Sequence, residues 1–200
     1  ADVIAVEPPG GADGRRMGPF LGDRIGLERS LTWHALNRNK RSVTIDTDSI
    51  DGRDTFERLA ATADVVIETA PARFSALADG GRVHCAVRPF SAHGPKSTYA
   101  FTDRTIVAAA GSVAYTGDGD RAPLFIPVPQ AMMEAGAEAA IGVLAALAAR
   151  DRDGRGQQVE VSMRVAAMMS AFSLPCYAAT REPPPTRAGS RKRLLDVEIP

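Results

Sequence analysis

The chain has 200 residues, of which 44% are apolar and 24% charged, enough to bury a core and too apolar for wholesale disorder. Twenty-four basic residues balance 24 acidic ones, which excludes a global electrostatic grip on nucleic acid or an anionic membrane while leaving room for a local basic pocket. No apolar run approaches the length of a membrane span, no basic-then-apolar leader opens the chain, and Cys85 and Cys176 form no CxxC pair, so a cytoplasmic protein without a disulfide framework or zinc site is expected.

In chain order, Ala1 to Val6 clusters β-formers and is broken by Pro8, Pro9, Gly10 and Gly11, which predicts a strand running into a glycine-rich loop over 8–26. A strand at residue 1 without a methionine reads as a chain that starts inside a larger protein. A short helix is expected within 27–36 and a second strand over Ser42–Asp46. Phe56, Leu59, Ala60 and Ala63 fall at helical spacing and predict an amphipathic helix over 51–63. Asp64–Glu68 reads as a short buried strand, 72–79 as a helix and Arg82–Val87 as a strand.

Asp103–Ala110 predicts a helix ended by Gly111, and 116–130 a loop. Ala131–Arg150 is the strongest helical pattern, and its many Ala and Gly residues predict close packing against another backbone. Gln158–Ser162 reads as a strand followed by a helix to about Ala179. The alternation implies an α/β fold, a Rossmann-like open and mostly parallel sheet with flanking helices, over residues 1–180. Pro183–Pro185 and Arg191-Lys192-Arg193 mark 181–200 as an exposed linker or tail.

The common catalytic motifs are absent. His34, His84 and His93 are scattered and in no metal spacing, and there is no GxGxxG, GxxxxGK[ST] or GxSxG. The informative stretch is Asn37-Arg38-Asn39-Lys40-Arg41-Ser42, three cations beside two amides just before a strand. Such a loop holds phosphate oxygens by charge-assisted hydrogen bonds, although on composition alone a basic run is more often a solvated loop. Arginine outnumbers lysine 21 to 3, which makes Lys40 conspicuous.

Five blocks in order, ADVIAVEPPGGADGRRMGP, NRNKRSVTID, ADVVIET, a loop ending HGP, and AGAEAAIGVLAALAARDRDGRGQQVEVSM, resemble the class III CoA-transferase family. This family groups carnitine, formate and related CoA-transferases with α-methylacyl-CoA racemases. The resemblance covers about residues 1–180, with Asn37–Ser42 and the stretch from Arg150 or Arg152 to Ser162 as its most specific parts. It implies a Rossmann-like large domain, a smaller domain, and two chains interlocked as a homodimer, with further segments before Ala1 and after Pro200. It implies coenzyme A as substrate and carrier, acyl-CoA and a carboxylic acid as partners, and no metal. It assigns the adenosine-phosphate end of CoA to Lys40, with Asn37 and Arg38 beside it. Arg88 matches a CoA-contacting lysine, and Asp13 and Arg16 match a G-D-x-x-R loop.

By the same resemblance, an aspartate attacks the acyl-CoA thioester to give a mixed anhydride and CoA thiolate. The thiolate returns to form an aspartyl-CoA thioester, releasing the first acid, and the acceptor acid then takes over the CoA. The aspartate's position, four residues before Gly136, is Met132, and a thioether forms no anhydride. The nearest carboxylate is Glu134, about 200° around a helix from Met132 and equally explained as an acidic residue in a first helical turn. Thr102 stands where a racemase needs a histidine, and the loop Glu68–Ala72 lacks the family's amide and glycine. Two readings follow: a CoA-transferase moving CoA between carboxylic acids, or a non-catalytic domain partnering an active copy in a fused or heteromeric enzyme.

Overall fold

A computed structural model describes residues 1–69, 81–170, 179–181, 187, 192–194 and 197–199. The expected helix near 72–79 and Cys176 lie outside the described residues. The chain divides into two compact units, Ala1–Ala63 and Asp64–Pro200.

In the first unit, β1 (Val3–Glu7) pairs in parallel with β2 (Lys40–Thr44). Between them come the glycine-rich loop, with two short 3-10 turns, and α1 (Leu31–Leu36). Strand β2 begins at Lys40, so Lys40 and Arg41 belong to the strand rather than to a loop before Ser42. Every residue of β2 is exposed, and long cationic side chains fit an extended backbone whose sides reach solvent. Asn39 makes the turn into β2 with φ 63°, a left-handed conformation that asparagine tolerates. Helix α2 (Ile50–Ala60) is capped by Ser49, whose hydroxyl accepts from the Gly52 amide, and buries Ala60. Apolar burial here is thin: among the described residues Ile45 and Ala60 are the buried apolar ones, beside buried Glu7 and Ser30.

The second unit holds a three-stranded parallel sheet ordered β3 (Val65–Thr69), β4 (Val83–Arg88), β5 (Gln158–Ser162). The α/β class and its parallel strands agree with the sequence, with β1–β2 pairing inside the first unit and β3–β4–β5 inside the second. Central β4 is buried along almost its whole length, which explains its continuous run of small and apolar residues. Its Val83, Cys85 and Val87 pack with Val161 against α3 (Asp103–Ala110), α4 (Gln130–Asp153) and α5 (Met163–Met169). By strand alternation His84, Ala86 and Arg88 project to the opposite face. His84 is fully buried there, with Nε2 3.2 Å from Glu68 Oε1.

Helix α3 has a reciprocal cap: the Thr102 hydroxyl accepts from the Thr105 amide, and the Thr105 hydroxyl accepts from the Thr102 amide. Helix α4 continues three residues past the expected end, to Asp153, and stops at Gly154 with φ 71°. Its buried stripe is Ala131, Ala135, Ala139, Val143 and Ala146. A Cβ on Gly142 would lie 2.7 Å from Val159 Cγ1, so the helix lies as close to β5 as the small residues predicted.

By length and composition α4 is also long and apolar enough to cross a membrane, which the sequence reading missed because its hydropathy is built from alanine rather than a run of large side chains. Its buried stripe sits in the same core cluster as α3, α5 and the sheet, while Ile141 and Leu144 are exposed. The last residues described, in the segment expected to be a linker, form an antiparallel pair, β6 (Lys192–Leu194) and β7 (Val197–Ile199). The expected helix to about Ala179 begins as α5, Met163–Met169, and its continuation over 171–178 lies outside the described residues.

Candidate functional site

The first unit contains a concavity of about 570 Å³ on the α1 side of the β1–β2 pair. Asn37, Arg38 and Lys40 all line it, together with Arg15, Trp33 and Arg41. The turn between α1 and β2 is what gathers them. Asn37 Nδ2 donates to the Trp33 carbonyl at 3.0 Å, which turns its Oδ1 toward Lys40. Lys40 Nζ donates to that oxygen at 2.9 Å, and an ammonium has two further protons to give. Arg38 is exposed and makes no hydrogen bond or ion pair among the described residues. Arg41 is drawn to Asp2, with Nη2 2.5 Å from Oδ2. His34 has Nε2 3.0 Å from the Glu28 carbonyl. Among the described residues, Arg38 and Lys40 are therefore the cavity cations that no carboxylate engages.

Arg15 is a cavity residue that the sequence reading passed over in favour of Arg16. The two are neighbours on a 3-10 turn, and only the turn's orientation separates them. Arg16 Nη2 and Nη1 donate to the Gly10 and Gly11 carbonyls at 2.9 and 3.3 Å, and Arg16 does not line the cavity. Asp13 is fully exposed and lies 3.8 Å from Arg16 Nη1. Arg15 Nε and Nη2 donate to the two oxygens of Glu7 at 2.6 and 2.8 Å, and Nη1 donates to Glu28 Oε1 at 2.9 Å. Its guanidinium lies over the Trp33 ring, 4.6 Å from the centroid.

Glu7 is 3% exposed. Its carboxylate also accepts from the Ser42 hydroxyl at 2.5 Å and from the Ala12 amide at 3.0 Å. The Arg15 hydrogen bonds hold the Glu7 carboxyl at about 2 against the opposing effect of burial, with Ser42 and Ala12 assisting. The Arg15 guanidinium is correspondingly pushed above its ordinary value.

The remaining candidates belong to the second unit. Arg88 ends β4 opposite Ser162 in register, and both Arg88 Nε and Ser162 Oγ are buried with no partner among the described residues. At the start of α4, Met132 is exposed and its amide donates to Asp103 Oδ1 at 2.9 Å. That amide is one of the four with no intrahelical acceptor, so an aspartate from α3 caps α4 across the interface. Glu134 lies on the half-buried flank; Gln130 Nε2 donates to its Oε1 at 3.1 Å, while Oε2 is buried without a partner among the described residues. Thr102 is occupied with its own cap. Of the expected loop Glu68–Ala72, only Glu68 and Thr69 are described, at the end of β3. Among the described residues no cluster of His, Cys, Asp or Glu could hold a metal ion.

The family model described as CoA-transferase family III matches residues 1–79 and 81–198. The chain belongs to this family. Among curated CoA-transferases it is 36% identical over 173 residues to succinyl-CoA:(R)-benzylsuccinate CoA-transferase subunit BbsE of Thauera aromatica, covering 81% of this chain and 42% of that protein. It is 33% identical over 176 residues to succinate–glutarate CoA-transferase of Agrobacterium fabrum, covering 82% and 44%. A solved CAIB/BAIF family protein from Brucella suis superposes with a TM-score of 0.82 at 33% identity, over 93% of this chain and 52% of that one. The chain thus spans about half or less of the length of these relatives.

Proposed function

We propose that the protein takes part in moving CoA between carboxylic acids, with the basic cavity of the first unit holding the phosphate end of CoA. The carrying observation is the pair of cations that no carboxylate among the described residues engages, Arg38 and Lys40, on a cavity walled by Trp33 and Arg15. A guanidinium and an ammonium suit phosphate oxygens, and a half-buried indole lining the cavity suits a heteroaromatic ring. The CoA-transferase names of the relatives support the same substrate class.

In this reading Lys40→Ala weakens CoA binding by about 1–3 kcal/mol, the range of a charge-assisted hydrogen bond to phosphate. Arg38→Ala does the same, because no partner among the described residues competes for its guanidinium. Calorimetry with CoA on the full chain checks both; equal affinity in wild type and both variants rejects the cavity as the site.

The second part of the reading concerns the reacting carboxylate. Met132 stands at the position the family resemblance gives to the attacking aspartate, and its thioether cannot form an acyl anhydride. Its amide is already capped by Asp103, and one Glu134 oxygen accepts from Gln130, one turn earlier. This supports a chain that binds CoA and lacks its own nucleophile, working beside an active copy. The Thauera relative is itself named a subunit. Coenzyme A and the two acids are the only reactants this reading requires.

A further inference from the structure

We propose that Glu7 is the positioning residue of the CoA cavity, acting through Arg15 and Ser42; this rests on the CoA reading of that cavity. Glu7 does not line the cavity, but three segments around it, β1, the glycine-rich loop and β2, meet on this one buried carboxylate. Strand β1 carries it, the glycine-rich loop donates the Ala12 amide, β2 donates the Ser42 hydroxyl, and the Arg15 fork takes both oxygens. Through Arg15 the tie extends to α1 and the chain before it, by the stack on Trp33 and the bond to Glu28. Few buried apolar side chains in this unit could do that work instead.

The consequence is a division of labour among the cations. Three of Arg15's five N–H donors are taken by carboxylate oxygens, on all three nitrogens, so Arg15 is held in place as a wall of the cavity. Binding falls to Arg38 and Lys40, whose turn is held by the Trp33 carbonyl on the helix that Arg15 clamps.

The sign of one variant separates positioning from charge. Glu7→Gln removes a negative charge from beside an anion site, so by charge alone CoA binds more tightly. Positioning demands the reverse: the Arg15 fork loses its anchor and the wall moves. Calorimetry with CoA on the full chain is therefore expected to show Glu7→Gln about tenfold weaker. Arg15→Lys keeps the charge, loses the fork and the flat stack, and is expected to weaken CoA by a similar factor. Adding Glu7→Gln to Arg15→Lys is expected to cost little more, because both act through one contact. Arg15→Lys keeps the test decisive if Glu7→Gln does not fold. Wild-type or tighter binding by either variant overturns the positioning role while leaving the CoA site standing. A wild-type chain that does not bind CoA overturns the site and the positioning role together.

Discussion

Acidifying the chain from neutrality to about pH 2 is expected to remove about 3 kcal/mol of stability through Glu7 alone. The Glu7 carboxyl is lowered from 4.5 to about 2 in the folded chain, so the unfolded chain binds the proton more readily. The contribution is fully present above about pH 4.5, declines below it, and is gone once pH falls through the folded value near 2. The near-complete burial of the carboxylate and the 12% exposure of the Arg15 side chain mean that solvent screens little of it. Urea unfolding of wild type and Glu7→Gln across this range checks it. The difference between them should be largest above pH 4.5 and shrink toward pH 2. A difference that does not change with pH would contradict the Glu7–Arg15 account.

Ile106→Ala is expected to cost about 3–4 kcal/mol, near the upper part of the range for emptying a well-packed apolar site. Ile106 is fully buried on α3, in the cluster formed with β4, α4 and α5. Alanines and valines make up most of that cluster, and such short side chains have little reach to refill the space. The same helix carries Asp103, whose carboxylate caps α4 at Met132. Loss of packing under α3 therefore loosens the start of α4 as well. Chemical denaturation gives the number; a loss below about 1 kcal/mol would mean that the cluster relaxes around the gap.

The second unit was the more legible from sequence. Asp103–Ala110 and Gln158–Ser162 fold with the expected bounds, because a closing Gly and strict alternation are local signals. The small residues of α4 announced a close helix-to-strand approach, and Gly142 against Val159 is that approach. Strand β2 was read two residues late because Lys40 and Arg41 look like loop residues until the strand is known to be exposed.

The cavity was half legible. Asn37, Arg38 and Lys40 were found together because their spacing is short. Arg15 was not separated from Arg16, since adjacent arginines on a turn differ only in where the turn points them. Glu7 gave no sequence signal of its own: a single glutamate before two prolines reads as a strand end. Its partners Arg15 and Ser42 are eight and 35 residues away, so only the fold reveals it as a hub. Capping of Met132 by Asp103 was equally invisible, because 29 residues separate them.

The central claim is that this chain holds CoA but offers no carboxylate to receive it. The most direct measurement is mass spectrometry of the full chain after incubation with an acyl-CoA, with hydroxylamine added to a parallel sample to trap any activated carboxyl. The account predicts unmodified peptides across Met132 and Glu134, while calorimetry on the same preparation shows CoA bound. A CoA thioester or a hydroxamate on Glu134 would contradict it and make Glu134 the nucleophile.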